Sequence, residues 1–238
     1  MKFELPCGRF PSVPEFRYAQ HCPLARAAEV VGERWTLLVI RELLLGPKRF
    51  SDLKRALLGV STSVLSERLA RLEERGVIAR SEVRPPTPAT LYELTPLGGR
   101  LLPSVLELAR WGGALLTGPE SGDHFEPDWL RLGFKTFARK TASPARSFEI
   151  RLDGADVFFV AGGPNGTEVC LDLDAAATTL HAKSALSLFA LAAGRLDPAA
   201  ALRDSEIVAD GDVAALDDFP ELFDMAPDDS EPHNPQGA

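Results

Sequence analysis

Residues 59–80 read GVSTSVLSERLARLEERGVIAR. Leu65, Leu69 and Leu72 recur at helical spacing and give one apolar face. The helix starts after Ser61, and Gly76 supplies the left-handed turn that ends it. The opposite face carries Thr62, Ser63, Ser66, Glu67 and Arg71. Small hydroxyls at the first turn and an arginine further along add nothing to a core, so this face needs another explanation.

The flanks supply one. Ser51 can cap a preceding helix with Asp52 in its positive first turn; Leu53 and Leu57 face inward and Gly59 ends it. After Gly76, VIARSEVR (77–84) reads as a strand, PPTPA as a turn and TLYEL as a returning strand. Upstream, Cys22 can sit at an N-cap with Pro23 at the first helical position, and Ala27, Val30 and Val31 form a face. A second helix carries Trp35, Leu38, Val39, Leu43 and Leu44 until Gly46-Pro47 stops it. Thr95-Pro96 opens a long helix through Leu116, with Pro103 as a kink. Helix, helix, helix–turn–helix, β-hairpin, helix is the order of a winged helix-turn-helix.

In that setting the polar face of residues 62–75 suits a DNA groove. Hydroxyls let a helix end approach closely and can donate to phosphates or base edges. The positive end of the helix dipole favours phosphate oxygens. Arg71 suits the backbone or a guanine edge. Arg49 and Lys54, beside Lys48 and Arg55, add local positive charge just upstream. Arg80 and Arg84 on the hairpin are candidates for phosphate or minor-groove contact, although the tip is uncharged and Glu82 can pair with either. The competing reading is a solvated helix face with ordinary N-terminal hydroxyls; the neighbouring elements and charges favour DNA.

Whole-chain charge argues the other way. The chain has 238 residues and a formal net charge of −8. That figure conceals a split: residues 20–117 hold 14 Lys+Arg and 10 Asp+Glu, whereas residues 118–238 hold 9 and 22. Nucleic-acid contact is thereby confined to the first part, and the acidic part would repel DNA. The expected division is an arm at 1–20, a DNA-binding and dimerisation domain at 21–117, a linker at 118–126, a second domain at 127–225 and a disordered tail at 226–238. Cys7, Cys22 and Cys170 are far apart and the four histidines are scattered, which argues against a disulfide framework or a metal site. With no long uncharged apolar run, the expectation is a cytoplasmic protein without membrane insertion.

The stretch from Cys22 to about residue 112 resembles the HxlR-type winged helix-turn-helix regulators, relatives of the MarR group. The resemblance rests on Cys22-Pro23, RWTLLVIRELLLGPKRFSDL, VLSERLARLEERGVI and YELTPLG, in matching order and spacing. It implies a homodimer that binds a pseudo-palindromic operator through one recognition helix per subunit, here Thr62–Arg75, with repression as the expected outcome. The implied dimer surface uses the first helix and Thr95–Leu116, where Leu97, Leu101, Val105, Leu108, Trp111 and Leu115 form a wide apolar face. The same face could instead pack on the chain's own second domain. Some members sense oxidants through a cysteine at the Cys22 position, and a thiol at a helix N-terminus near Arg26 ionises more readily; a cysteine kept for helix shape is the competing reading.

Beyond the linker, WLRLGFKTF suggests a short helix, and SFEIRLD, DVFFVAG and TEVCLDL alternate as strands. Thr178–Ala182 is a further strand, followed by an apolar helix at 183–193, a strand in SEIVADGD and a last helix near 212–224. The chain as a whole is α+β. Residues 125–224 resemble the sterol-carrier-protein fold, chiefly in AGRLDPAAALRDSEIVADGD, although the final strand is unusually acidic. That resemblance implies a tunnel for an apolar small molecule. Its candidate lining is Phe148, Ile150, Phe158, Val160, Leu186, Phe189 and Leu222, which could equally fill an ordinary core. No catalytic constellation or cofactor motif is present, so no enzyme and no cofactor are expected. The alternative to a regulator is a lipid carrier whose winged helix mediates protein contacts.

Overall fold

The computed structural model describes residues 17–83, 89–116, 123–153 and 157–225. Arg84, most of the N-terminal arm, the hairpin tip, the first part of the linker and the tail at 226–238 lie outside the described residues. The chain divides into two compact units at Gly99–Arg100.

The first unit opens with α1 (Pro23–Val31), with Pro23 in its first turn, and α2 (Thr36–Leu44). Strand β1 (Lys48–Arg49) leads directly into α3 (Phe50–Ala56), and α4 (Thr62–Glu74) follows. The hairpin of β2 (Ile78–Val83) and β3 (Ala89–Leu94) comes next, then α5 (Pro96–Gly99). The sheet order is β1-β3-β2, all antiparallel, with Arg80 opposite Tyr92 across the hairpin and Tyr92 opposite Lys48 on the other side. Val39, Ile40, Leu53, Leu57, Val60, Leu65, Leu69, Leu72 and Ile78 are all buried and form the core.

Two expectations for this unit are corrected. Helix α3 begins at Phe50 rather than after Ser51, because pairing with β3 holds Lys48 and Arg49 extended up to the helix. Asp52 still serves the first turn, accepting from the Arg49 backbone N–H at 3.3 Å. The helix expected from Thr95 to Leu116 is two segments, α5 and then α6 (Leu102–Gly113), with Pro103 in the first turn of the second. The break follows from Gly98, Gly99 and a proline without an N–H in close succession. Gly98 cannot be larger: an added Cβ would stand 2.1 Å from the Val77 carbonyl oxygen.

The second unit contains α6 and α7 (Trp129–Phe137), then β4 (Ser147–Leu152), β5 (Phe158–Gly163), β6 (Gly166–Cys170) and β7 (Thr178–Ala182). Helices α8 (Ala185–Ala192) and α9 (Pro198–Arg203), β8 (Ile207–Gly211) and a 3₁₀ helix (Val213–Leu222) complete it. The sheet order is β6-β5-β4-β7-β8, with β4 and β7 parallel and every other pair antiparallel. Alternation drives burial: Phe148 and Ile150 turn inward from β4 while Arg151 is exposed. The last helix is 3₁₀ rather than α, with Pro220 inside it, where a missing N–H cannot complete an α ladder.

Helix α6 is fastened to α7 and groups with the second unit. The Arg110 guanidinium donates to the Thr136 carbonyl and lies 5.8 Å over the Phe137 ring, and Lys140 pairs with Glu107 at 2.8 Å. Lys140, and then Arg110, hold the Glu107 carboxyl below the usual carboxylate range.

Candidate nucleic-acid interface

Helix α4 is set in place by its leucines and its cap. Leu65, Leu69 and Leu72 are buried, and Ser61 Oγ accepts from the Val64 N–H at 3.2 Å. Thr62, Ser63, Ser66 and Ala70 are then exposed and fall at helical spacing along the outer surface. That stripe carries only small side chains, so a groove can approach the helix backbone closely. Ser63 Oγ lies 3.0 Å from Ser61 Oγ, which orients the first-turn hydroxyls. Ala70 was not singled out from sequence, since an alanine announces no contact chemistry; its spacing of four from Ser66 was the available signal.

Glu67 and Arg71, expected on the same open face, are half-buried and engaged elsewhere. Arg71 pairs with Glu67 at 2.8 Å and with Glu33, and Glu33 also pairs with Arg68. The reason is rotation: Glu67 and Arg71 lie about 100° around the helix from Ser66 and Ala70, which turns them toward the junction before α2.

The remaining basic candidates also divide. Arg49 is exposed at the end of β1. Lys54 is not an open cation: its ammonium donates to the Val60 carbonyl at 2.5 Å and ties down the loop between α3 and α4. Arg80 is exposed on β2, but it pairs with Glu73 at 2.6–2.8 Å rather than with Glu82 and lies 5.7 Å over Tyr92. Arg55, which sequence reasoning treated only as background charge, is highly exposed on α3, with Asp52 3.4 Å away.

Cys22 takes the N-cap position of α1 in an extended conformation and is half-buried. The neighbouring cation expected to activate it is already committed, because Arg26 pairs with Glu29 at 2.9 Å. Cys170 is the opposite of a reactive thiol: burial first, and then Glu168, push its pKa up. Among the described residues no cluster of His, Cys, Asp and Glu could hold a metal ion, and no helix is long and apolar enough to cross a membrane.

The expected ligand pocket is not open. Phe148, Ile150, Phe158, Val160 and Leu222 have exposures of 0–1%, which leaves no water-sized space beside them. They pack with Phe134, Phe219 and Phe223, with ring centroids 5.0 Å apart for Phe148–Phe219 and 4.9 Å for Phe134–Phe223. Phe189 is half-buried against this core. Leu186 is corrected outright: it is 67% exposed on the outer side of α8.

Buried leucines under an exposed recognition helix, a preceding short helix and a flanking hairpin define a winged helix-turn-helix, the DNA-binding fold of a class of transcriptional regulators. The HxlR-like helix-turn-helix family matches residues 30–119. An uncharacterized HTH-type transcriptional regulator of Mycobacterium tuberculosis (strain CDC 1551 / Oshkosh), MT3179, is 34% identical over 142 residues, covering 54% of this chain and 89% of the relative. YvaP, an uncharacterized HTH-type transcriptional regulator of Bacillus subtilis (strain 168), is 40% identical over 95 residues, covering 39% of this chain and 87% of its own. A solved candidate MarR-family transcriptional regulator of Porphyromonas gingivalis W83 is 31% identical, covers 45% of this chain and 100% of its own, and has a TM-score of 0.39. The chain belongs to the HxlR-like helix-turn-helix family. It is a DNA-binding transcriptional regulator.

Proposed function

We propose that the protein is a homodimeric repressor that occupies a two-fold symmetric operator, with α4 of each protomer lying in a major groove. The observation that carries this reading is the stripe of Thr62, Ser63, Ser66 and Ala70, exposed and small along the outer surface of a helix whose inner leucines are fully buried. Thr62 and Ser63, at the positive end of the helix, suit phosphate oxygens; Ser66 and Ala70 suit base edges and a thymine methyl. Arg49 and Arg80 serve the flanking backbone.

The dimer is supported by α6. Leu108 and Trp111 are exposed on α6 and Leu115 just beyond its end, an apolar patch that water does not favour. Val105 is buried and Leu101 half-buried, so those two residues of the expected surface serve the protein's own packing. A dimer seated on its operator represses by excluding polymerase from the same duplex.

Control by an apolar small molecule in the second unit forms part of the reading, with a condition the packing imposes. A ligand must open a filled core, entering beneath α8, and must bind the DNA-competent and incompetent states with different affinity. The filled core counts against the carrier alternative, since a carrier holds its cargo in a standing cavity.

The decisive experiment selects bound fragments from genomic DNA and measures duplex affinity across a salt series. Regulator behaviour is a selected site with a two-fold repeat and affinity that falls as salt rises. Absence of any preferred fragment overturns the reading. Native mass spectrometry tests the ligand, and a bare protein mass after gentle purification removes a preloaded apolar molecule.

A further inference from the structure

Helix α4 poses an electrostatic puzzle. Its charged residues, Glu67, Arg68, Arg71, Glu73 and Glu74, include more carboxylates than guanidiniums, and its exposed stripe is uncharged. A recognition helix for a polyanion would ordinarily present its arginines. Here Arg68 and Arg71 both turn to one carboxylate from outside the helix, that of Glu33.

We propose that Glu33 stands in for a DNA phosphate, holding Arg71 off the duplex until a backbone phosphate displaces it, and so limits binding to unrelated sequence. The proposal rests on α4 reading DNA. A carboxylate and a phosphate offer a guanidinium the same chemistry, two acceptor oxygens with negative charge, so one can replace the other on the same donors.

The two arginines are not held alike. Arg68 is 15% exposed, its Nη1 and Glu33 Oε2 are buried against each other, and its Nε also donates to the Arg34 carbonyl at 3.2 Å. It is a fixture of the fold. Arg71 is 32% exposed and is held by carboxylates alone, Glu33 and, at 2.8 Å, Glu67. It directly follows Ala70 of the exposed stripe, which puts it beside any duplex that α4 contacts. The Glu67 pair is an i, i+4 surface contact of the kind that salt screens and that contributes little. Glu33 is the stronger restraint, and it is well placed to be one. It lies in the junction between α1 and α2, where Trp35 adopts φ 77°, a left-handed conformation that few large residues take.

A purely structural role makes a different prediction. If Glu33 only cements α4 to that junction, its loss lowers stability and leaves DNA affinity per folded molecule unchanged. If it restrains Arg71, its loss releases a cation toward DNA.

The test uses the full chain and its Glu33→Gln variant, which keeps the shape and a hydrogen-bonding oxygen. Binding to a random-sequence duplex and to the selected operator is followed by fluorescence anisotropy from about 50 to 200 mM salt. Glu33→Gln should bind the random duplex roughly three- to tenfold more tightly, with a log–log salt slope steeper by about 0.9 for each arginine released. The operator should gain less, so the specificity ratio falls. Adding Arg71→Ala to Glu33→Gln should abolish the gain. Glu67→Gln should move the random-duplex affinity in the same direction by a smaller factor, and it decides the matter if Glu33→Gln fails to fold. An unchanged slope and unchanged random-duplex affinity in a folded Glu33→Gln overturn the proposal, as does a gain that survives Arg71→Ala. If Ser66→Ala also leaves operator affinity intact, the reading of α4 itself has failed; if Ser66→Ala weakens the operator while Glu33→Gln changes nothing, only the restraint has.

Discussion

Ser66→Ala separates binding from folding at the centre of the exposed stripe. Ser66 is exposed in the middle of α4, so removing its hydroxyl opens no cavity. Alanine is the better helix former, by roughly 0.5 kcal/mol at such a position. The variant should therefore be equally stable or slightly more stable than the parent. Loss of a hydroxyl that reads a base edge costs about 1–3 kcal/mol. At about 1.4 kcal/mol per tenfold, that is a five- to 150-fold loss of operator affinity for each half-site. Urea titration measures the first effect and anisotropy on the selected operator the second, at fixed salt. Affinity for a random duplex should barely change, because phosphate contacts carry it. An operator affinity equal to the parent's, with stability raised as expected, would show that the stripe does not read sequence.

Other parts of the structure make separate predictions. Gly98→Ala drives a Cβ to 2.1 Å from the Val77 carbonyl oxygen, so the first unit should lose about 1–3 kcal/mol in denaturant titration. Trp111 is 68% exposed, and Trp111→Glu should leave far-UV circular dichroism unchanged while shifting the mass measured by light scattering from dimer to monomer. The Glu107 carboxyl is held below its ordinary range chiefly by Lys140, then by Arg110. Its folded pKa lies below the unfolded one, so its contribution is present above the ordinary carboxylate pKa and is lost as pH falls through the lowered value. Glu107→Gln should accordingly lower stability slightly at neutral pH and leave strongly acidic pH unchanged, which flattens the acid side of the profile.

What could be read from sequence was what local chemistry dictates. Ser61, Gly76 and three leucines at helical spacing place α4 because a cap, a left-handed turn and a buried face each act over a few residues. Thr178–Ala182 was legible to the residue because β-branched and apolar positions alternate there between turns. β1 was not legible: two residues carry no period, and their extended state comes from pairing with Tyr92 and Leu91, more than forty positions on. Arg71 and Lys54 were recognised as cations, but their partners were not. Glu33 is 38 residues from Arg71, and Lys54 ends on a backbone carbonyl that sequence does not distinguish from any other. The candidate pocket failed for a related reason. Alternation on β4 and β5 says which residues turn inward, and only packing decides whether inward means a cavity or the Phe134–Phe219–Phe223 cluster that fills it.

The same distinction governs the charge argument. Fourteen basic residues between positions 20 and 117 suggest broad contact with phosphate. The fold spends several of them internally. Arg41 and Lys48 reach the buried carboxylate of Glu42 at 2.8 and 3.7 Å, Arg68 and Arg71 meet Glu33, and Lys54 meets a carbonyl. A cation that already has a buried or bidentate partner must give it up to take a phosphate, and the exchange cancels most of the gain. The salt slope should therefore be much shallower than a count of arginines implies, of the order expected for a few phosphates per protomer, with Arg49 and Arg55 supplying contacts at once. On the proposed reading, a regulator with that surface should discriminate mainly through the small side chains of α4. Its affinity for unrelated duplex should stay low, because the fold, rather than the composition, decides which charges face outward.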